Sequence, residues 1–322
     1  MLALFACGPA HAEEGEFRLG LPIDCTLGET CFVQSLVDLD AGSGRRDYLC
    51  SQATYDGHKG TDFRLRNIGA LLKGVPVLAS ASGTVGRLRD GVKDDLEMSG
   101  DYKNRSGQEC GNGLIIEHGE GWETQYCHLR EGSVLVEQGA QVTIGQPIGS
   151  VGMSGNTEFP HVHMTVRKNG KVIDPYSGLT PGQDCTSERN PIWNAEAAGI
   201  LSVPTFQVID FAFTDRPVKR VQLEQFQGDR WPAPERNGPA LVAYLRVINL
   251  EANDQQSIVI NGPKGLVAQM PIDAPERFKA RYVAYVGKKT PKGGWPRGDY
   301  QATYKLERDG RVILEKSIDI TL

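Results

Sequence analysis

His58-Lys59-Gly60-Thr61-Asp62 and, far downstream, Pro160-His161-Val162-His163 are the stretches around which the rest of the chain is organised. Zinc held by nitrogen and oxygen donors takes ligands about 2.0–2.2 Å away in a tetrahedron; a catalytic zinc keeps three protein ligands and one open position. Along a flat strand, residues four apart are separated by about 13 Å, so His58 and Asp62 could not share one ion there. Gly57 and Gly60 bracket the histidine and permit a tight bend, and two glycines so close together argue against a helix. His161 and His163 are spaced for one face of a strand, with Val162 behind them, and Pro160 suits the first residue of that strand. One imidazole can then hold a metal while its neighbour moves protons in the same groove. The spacing leaves open which does which.

The surrounding residues form an ordered series: Gly57 to Phe63, Val77-Leu78-Ala79, Gly83-Thr84-Val85, Gly111 to Gly119, Tyr126-Cys127-His128-Leu129, Gly145 to Gly149, Gly152 to Asn156, the H-x-H run, and Asp174-Pro175. In this order and spacing the series resembles the lysostaphin/LytM-type zinc metalloendopeptidases of bacterial cell walls. The resemblance implies an antiparallel β peptidase domain that binds Zn2+ through His58, Asp62 and His163, with His161 and His128 as the catalytic histidines. Zinc in such a site lowers the pKa of its water toward 7 and polarises a carbonyl. A histidine can take the water's proton and pass it to the leaving amine, while His128 orients the reaction or stabilises the oxyanion. The division of labour between His161 and His128 stays open. The implied function is a zinc-dependent endopeptidase hydrolysing peptide cross-links of peptidoglycan. The alternative is a non-catalytic LytM-like cell-wall-binding regulator of another hydrolase, but such regulators have typically lost ligands, and every matching position is present. The family usually reads Gly-Pro-His-Leu-His-Phe. Here Glu158-Phe159 stands ahead of Pro160, which alters subsite shape rather than metal binding. Tyr48 and Tyr55 are the candidates for a tyrosine that some members place near the oxyanion, and His118 is expected to be structural.

Length and composition frame this reading. A chain of 322 residues suggests two domains. Its net charge of −5 offers no basic footprint for nucleic acid, and no apolar run approaches the ~20 residues of a membrane span. Residues 1–12 end in Ala10-His11-Ala12 and are expected to be a truncated signal peptide. In the alternative, Cys7 lies in a loose lipobox and anchors a lipoprotein. Of the seven cysteines, setting Cys7 aside leaves Cys25, Cys31, Cys50, Cys110, Cys127 and Cys185. An even set in an exported chain predicts disulfides, with Cys25 and Cys31 the natural local pair. The expected location is therefore periplasmic or extracellular.

The expected organisation is an N-terminal extension at 13–54, a zinc metallopeptidase domain at 55–180, a linker at 181–203 and a β-sandwich domain at 204–322. Residues 86–110 form a polar insertion at the groove rim. Within the peptidase region, segments near 114–117, 122–127, 134–137 and 164–167 read as strands, and Asn169-Gly170 marks a hairpin. Beyond residue 204, about seven short strands with a turn at Asp309-Gly310 predict an immunoglobulin-like sandwich. That region has no histidine or cysteine, so binding a protein or cell-wall partner is its expected role. The whole is expected to be mainly β and monomeric.

Overall fold

A computed structural model describes residues 16–99, 107–202, 204–229 and 231–322. The expected signal segment with Cys7, and the middle of the 86–110 insertion, lie outside the described residues. In chain order the first region contains β1 (Cys31–Ser35), β2 (Thr61–Leu65), α1 (Ile68–Lys73), β3 (Pro76–Leu78), β4 (Gly83–Arg89), β5 (Asn112–Gly119), β6 (Trp122–Leu129), β7 (Gln141–Val142), β8 (Pro147–Ser150), β9 (His161–Lys168), β10 (Lys171–Ile173) and α2 (Ala195–Ile200). The remainder contains β11 (Gln207–Thr214), α3 (Arg220–Gln225), β12 (Ala240–Leu250), β13 (Gln255–Gly262), β14 (Gly265–Ile272), β15 (Lys279–Lys289), β16 (Asp299–Arg308) and β17 (Arg311–Thr321). The chain is mainly β and its strand ladders are antiparallel.

The principal sheet runs β1-β2-β9-β6-β5-β4-β7, with β10 paired to β9. Its strands alternate as a half-buried sheet requires. Phe63, Leu65, Val162, Met164, Val166, Leu114, Ile116 and Tyr126 point into one core. The intervening residues, Asp62, Arg64, His161, His163, Gln125 and Cys127, occupy the opposite face. Register places Asp62 opposite His163, Arg64 opposite His161, and Cys127 opposite His163. The segment expected as an N-terminal extension supplies β1, the sheet's edge strand.

The β9–β10 turn at Asn169-Gly170 has φ of 49° and 76°, the positive pair that a two-residue hairpin needs. One expectation fails: residues 134–137 are not a strand. The Leu135 N–H makes a backbone bond to the Ile148 carbonyl, but the Val134 N–H goes to the Asp90 carboxylate instead of to a neighbouring strand. The expected linker also contains helix α2, which Asn194 caps by accepting from the Ala197 N–H.

After residue 204, the three-stranded sheet β11-β12-β15 and the four-stranded sheet β14-β13-β16-β17 enclose one core. This region also covers the outer face of β1 and part of β2. Phe32 packs with Ile209 and Ile248. Arg64, fully buried, pairs with Glu224 at 2.6 Å. Gln34 Nε2 donates to the Ala280 carbonyl at 2.9 Å, and Asn249 Nδ2 donates to the Gln34 carbonyl at 3.0 Å. Residues that carry no metal chemistry thus bring the start of β15 to the same sheet face as the histidines. Among the described residues no helix is long and apolar enough to cross a membrane.

Candidate metal centre

His58 lies in the turn before β2. Gly57, at φ 73°, makes the bend expected there. Gly60 serves a different need: a Cβ on it would lie 2.6 Å from His163 Nε2 and 2.5 Å from the Met164 carbonyl. Only glycine lets the turn lie this close to β9.

Three donor atoms converge. His58 Nε2 is 3.1 Å from Asp62 Oδ1 and 3.1 Å from His163 Nδ1, which is 2.8 Å from Asp62 Oδ1. Donors sharing one tetrahedral ion at about 2.0–2.2 Å sit roughly 3.3–3.6 Å apart, so a small outward adjustment accommodates zinc. The outer hydrogen bonds fix the tautomers that such binding needs. His58 Nδ1 donates to the Leu36 carbonyl at 2.6 Å, leaving Nε2 to ligate. His163 Nε2 donates to Thr165 Oγ1 at 2.9 Å, leaving Nδ1. Two neutral imidazoles and one carboxylate form a donor set suited to a divalent metal, and these residues could hold one.

The other two histidines stand beside this cluster. His128 ends β6 in a left-handed conformation, φ 63°, which non-glycine residues adopt mainly where surrounding contacts enforce it. Here the His128 N–H donates to the Cys110 carbonyl at 2.8 Å, and its Nδ1 donates to the Ser154 carbonyl at 2.8 Å. The Cys110–Cys127 disulfide anchors the adjoining residue. His161 Nδ1 donates to the Phe159 carbonyl at 3.0 Å, and its Nε2 is 3.6 Å from Asp62 Oδ1. The rings of His128 and His161 lie 4.5 Å apart. In both, the outer nitrogen is occupied and Nε2 remains for chemistry.

Electrostatics follows from burial around one carboxylate. Burial opposes ionisation of Asp62, but His58 and His161 hold it well below the usual carboxylate range. Burial works to lower His58, yet Asp62 lifts it above its ordinary value. Burial outweighs Asp62 at His161, brought down to about 4, and at His163, also lowered. His128 falls well below its usual value through burial and then the charges of His161 and His163.

The cluster opens onto a cavity of about 330 Å³ whose walls include Tyr55, His128, Phe159, His161 and Arg281. A larger cavity of about 650 Å³, near Arg66, Phe226 and Trp231, has no comparable histidine–carboxylate group, so chemistry rather than size selects the cleft. The two tyrosine candidates separate. Tyr55 lines the cleft with its ring 4.3 Å from His58, whereas Tyr48 stacks on Tyr176 at 5.1 Å. His118 bonds the Ser82 carbonyl and Thr124 Oγ1, each at 2.8 Å, outside the cluster. The supporting roles of Thr165 and Ser154 and the presence of Arg281 carry no local signature in the sequence. Only the departure at Glu158-Phe159 marks that part of the wall.

Comparison with known proteins adds an independent line. Residues 56–175 match Peptidase family M23. DD-carboxypeptidase/endopeptidase Mpg of Neisseria meningitidis serogroup B is 32% identical over 133 residues, which are 41% of this chain and 25% of that protein. Peptidoglycan DD-endopeptidase ShyA of Vibrio cholerae is 30% identical over 124 residues, 38% of this chain and 23% of that protein. The chain thus spans about a quarter of the length of these curated relatives. A solved zinc containing peptidase from Vibrio cholerae is 27% identical, covering 45% of this chain and 39% of that one, with a TM-score of 0.29.

Proposed function

We propose, from the Peptidase family M23 domain at residues 56–175, that this chain is a zinc-dependent endopeptidase hydrolysing peptide cross-links of bacterial peptidoglycan. The observation that carries the reading is the convergence of His58, Asp62 and His163 within 3.1 Å, with two further histidines alongside. His58 Nε2, Asp62 Oδ1 and His163 Nδ1 are assigned as the metal ligands. Zinc bound there supplies Lewis acidity toward a peptide carbonyl and makes water more acidic.

The chain's own groups do the rest. His161 Nε2 and His128 Nε2 border the metal position, each ring oriented by a backbone carbonyl. One accepts the proton released by the attacking water and returns it to the departing amine. The other donates toward the oxygen on which negative charge develops. The sheet face beneath and the cleft walls hold an extended peptide across these groups.

The same reading places the protein outside the cytoplasm, in the periplasm or extracellular space, on the support of three disulfides among the described residues. Residues 204–322 are assigned as an immunoglobulin-like sandwich on the support of their two antiparallel sheets.

The test is digestion of purified sacculi by the zinc-loaded full chain, with released fragments identified by mass spectrometry. Cross-linked dimers should fall and monomers rise. His163→Ala and Asp62→Ala should lose zinc and cleavage together, measured by elemental analysis and the same digestion. His161→Ala and His128→Ala should retain zinc and lose about 10²–10⁴ in rate. A wild type that binds zinc and sacculi but releases no fragments replaces the enzyme with the regulator.

A further inference from the structure

The turn that leads into β9 holds His161 through a side chain that the chemistry above does not use. Thr157 is buried, 4% exposed. Its hydroxyl donates to the Phe159 carbonyl at 2.7 Å, and Oγ1 accepts from the Phe159 N–H at 3.3 Å. His161 Nδ1 stands 3.0 Å from Thr157 Oγ1 and 3.0 Å from that same carbonyl. A hydroxyl has one hydrogen to give and two lone pairs. With the Thr157 hydrogen committed to the carbonyl, Oγ1 meets Nδ1 as an acceptor. Both partners therefore require the proton on Nδ1. Nε2 keeps its lone pair and stands 3.6 Å from Asp62 Oδ1. At His128 the corresponding partner is the Ser154 carbonyl, a backbone group. At His161 a side chain takes part, and a side chain can be exchanged.

One acceptor fixes a tautomer but lets the ring pivot about the Nδ1···O line; a second acceptor on the same nitrogen restricts that pivot. Here the two are not independent. The Phe159 carbonyl is itself held by the Thr157 hydroxyl, and Pro160, between it and the histidine, fixes its own φ and has no N–H to offer. Removing one hydroxyl thus removes one acceptor and releases the other. The Phe159 ring, 4.6 Å from the ring of His161, packs beside the imidazole but supplies no hydrogen bond to set its rotation. A general base must come within about 2.6–3.2 Å of the atom whose proton it takes, and a misplacement of about 1 Å can cost ~10²-fold in rate. From these contacts we infer that Thr157 is a positioning residue: its hydroxyl, together with the Phe159 carbonyl it holds, orients His161 so that Nε2 faces the group of His58, Asp62 and His163. Thr157 acts through His161 and is too buried to serve as a substrate contact. The inference rests on the endopeptidase reading and deepens it.

The experiment is a double-mutant cycle on the full-length zinc-loaded protein, with a soluble synthetic cross-linked peptide as substrate. Thr157→Val keeps the side-chain shape without the hydroxyl, and Thr157→Ser keeps the hydroxyl. Each is made in the wild type, and Thr157→Val also in His161→Ala, with zinc content and melting temperature as controls. Thr157→Val should lose about tenfold in kcat with KM and zinc content unchanged, and Thr157→Ser should recover most of that loss. In the His161→Ala background Thr157→Val should cost nothing further, because the ring it orients is gone. A Thr157→Val rate equal to that of the wild type, a Thr157→Ser loss as large, or a full additional loss on top of His161→Ala overturns the inference. If the wild type does not cut the peptide, the endopeptidase reading fails instead, and nitrogen NMR of histidine-labelled protein decides Thr157 separately. A His161 Nδ1–H tautomer in the wild type that becomes a mixture in Thr157→Val upholds the positioning role; identical His161 signals in the two proteins overturn it.

Discussion

Asp174 shows how a single buried group can set a property of the protein away from the candidate metal centre. It is fully buried, accepts from Ser177 Oγ, and leaves Oδ1 without a hydrogen-bond partner among the described residues. Burial pushes its carboxyl up to about 7, against an ordinary value of 3.8. Because the folded value is the raised one, the stabilisation is complete below the unfolded value and is lost as pH rises through about 7. A single such group contributes a slope of at most about 1.4 kcal/mol per pH unit. Asp174→Asn cannot ionise, so its stability should fall less than that of the wild type between acidic and mildly alkaline pH. Urea unfolding of both proteins across that range checks this, and parallel curves would exclude Asp174 as the titrating group. The candidate metal-binding group of His58, Asp62 and His163 was more legible than this residue. Two histidines at i and i+2, and a histidine–aspartate pair in a glycine turn, advertise their chemistry by residue type and local spacing. Asp174-Pro175 could be quoted from the sequence, but its environment depends on contacts that assemble only in the fold.

Elements differ in legibility for the same reason. The hairpin at Asp309-Gly310, φ 51° and 73°, and the one at Asn169-Gly170 are local solutions to local backbone demands, so turn residues announce them. Strand β14 is a mostly exposed edge strand carrying Pro271, and its weak alternation hides it. Helix α3 has only six residues and little periodicity to detect. Its importance lies in Glu224, which pairs with Arg64 of β2 at 2.6 Å and stands 3.3 Å from Arg246 of β12. Arg246 continues the network to Asp210 at 2.6 Å. Burial brings Arg64 down to about 10, still above neutral pH, so its charge needs a partner. Glu224→Gln should leave two buried guanidinium groups poorly compensated, at a cost of about 3–5 kcal/mol. Urea denaturation should show a lower midpoint with an unchanged slope. A loss below about 1 kcal/mol would put the network in the class of solvent-screened pairs.

At the scale of the whole molecule, the two regions are joined by side chains and covalently braced at one end. An even cysteine set could be read from the sequence, and so could the short Cys25–Cys31 loop. Spacing could not select the long-range partner of Cys50. The Cys50–Cys185 disulfide spans a sequence separation of 135, and the loop it closes contains all five residues assigned to the metal and proton chemistry. It ties the segment behind β1 to the segment leading into the C-terminal sheets. Restricting so long a loop in the unfolded chain is worth about 5 kcal/mol in the chain-entropy account, equivalent to a shift on the order of 10 °C in melting temperature for a domain of this size. Neither cysteine lines the cleft. The Cys50→Ser, Cys185→Ser double variant should therefore melt about 10 °C lower while keeping zinc content and rate at 25 °C. Scanning calorimetry paired with elemental analysis measures both. Loss of zinc at 25 °C without global unfolding would mean instead that the crosslink acts on the native site, by holding the β1 edge against β2 and so setting the approach of His58 to Asp62.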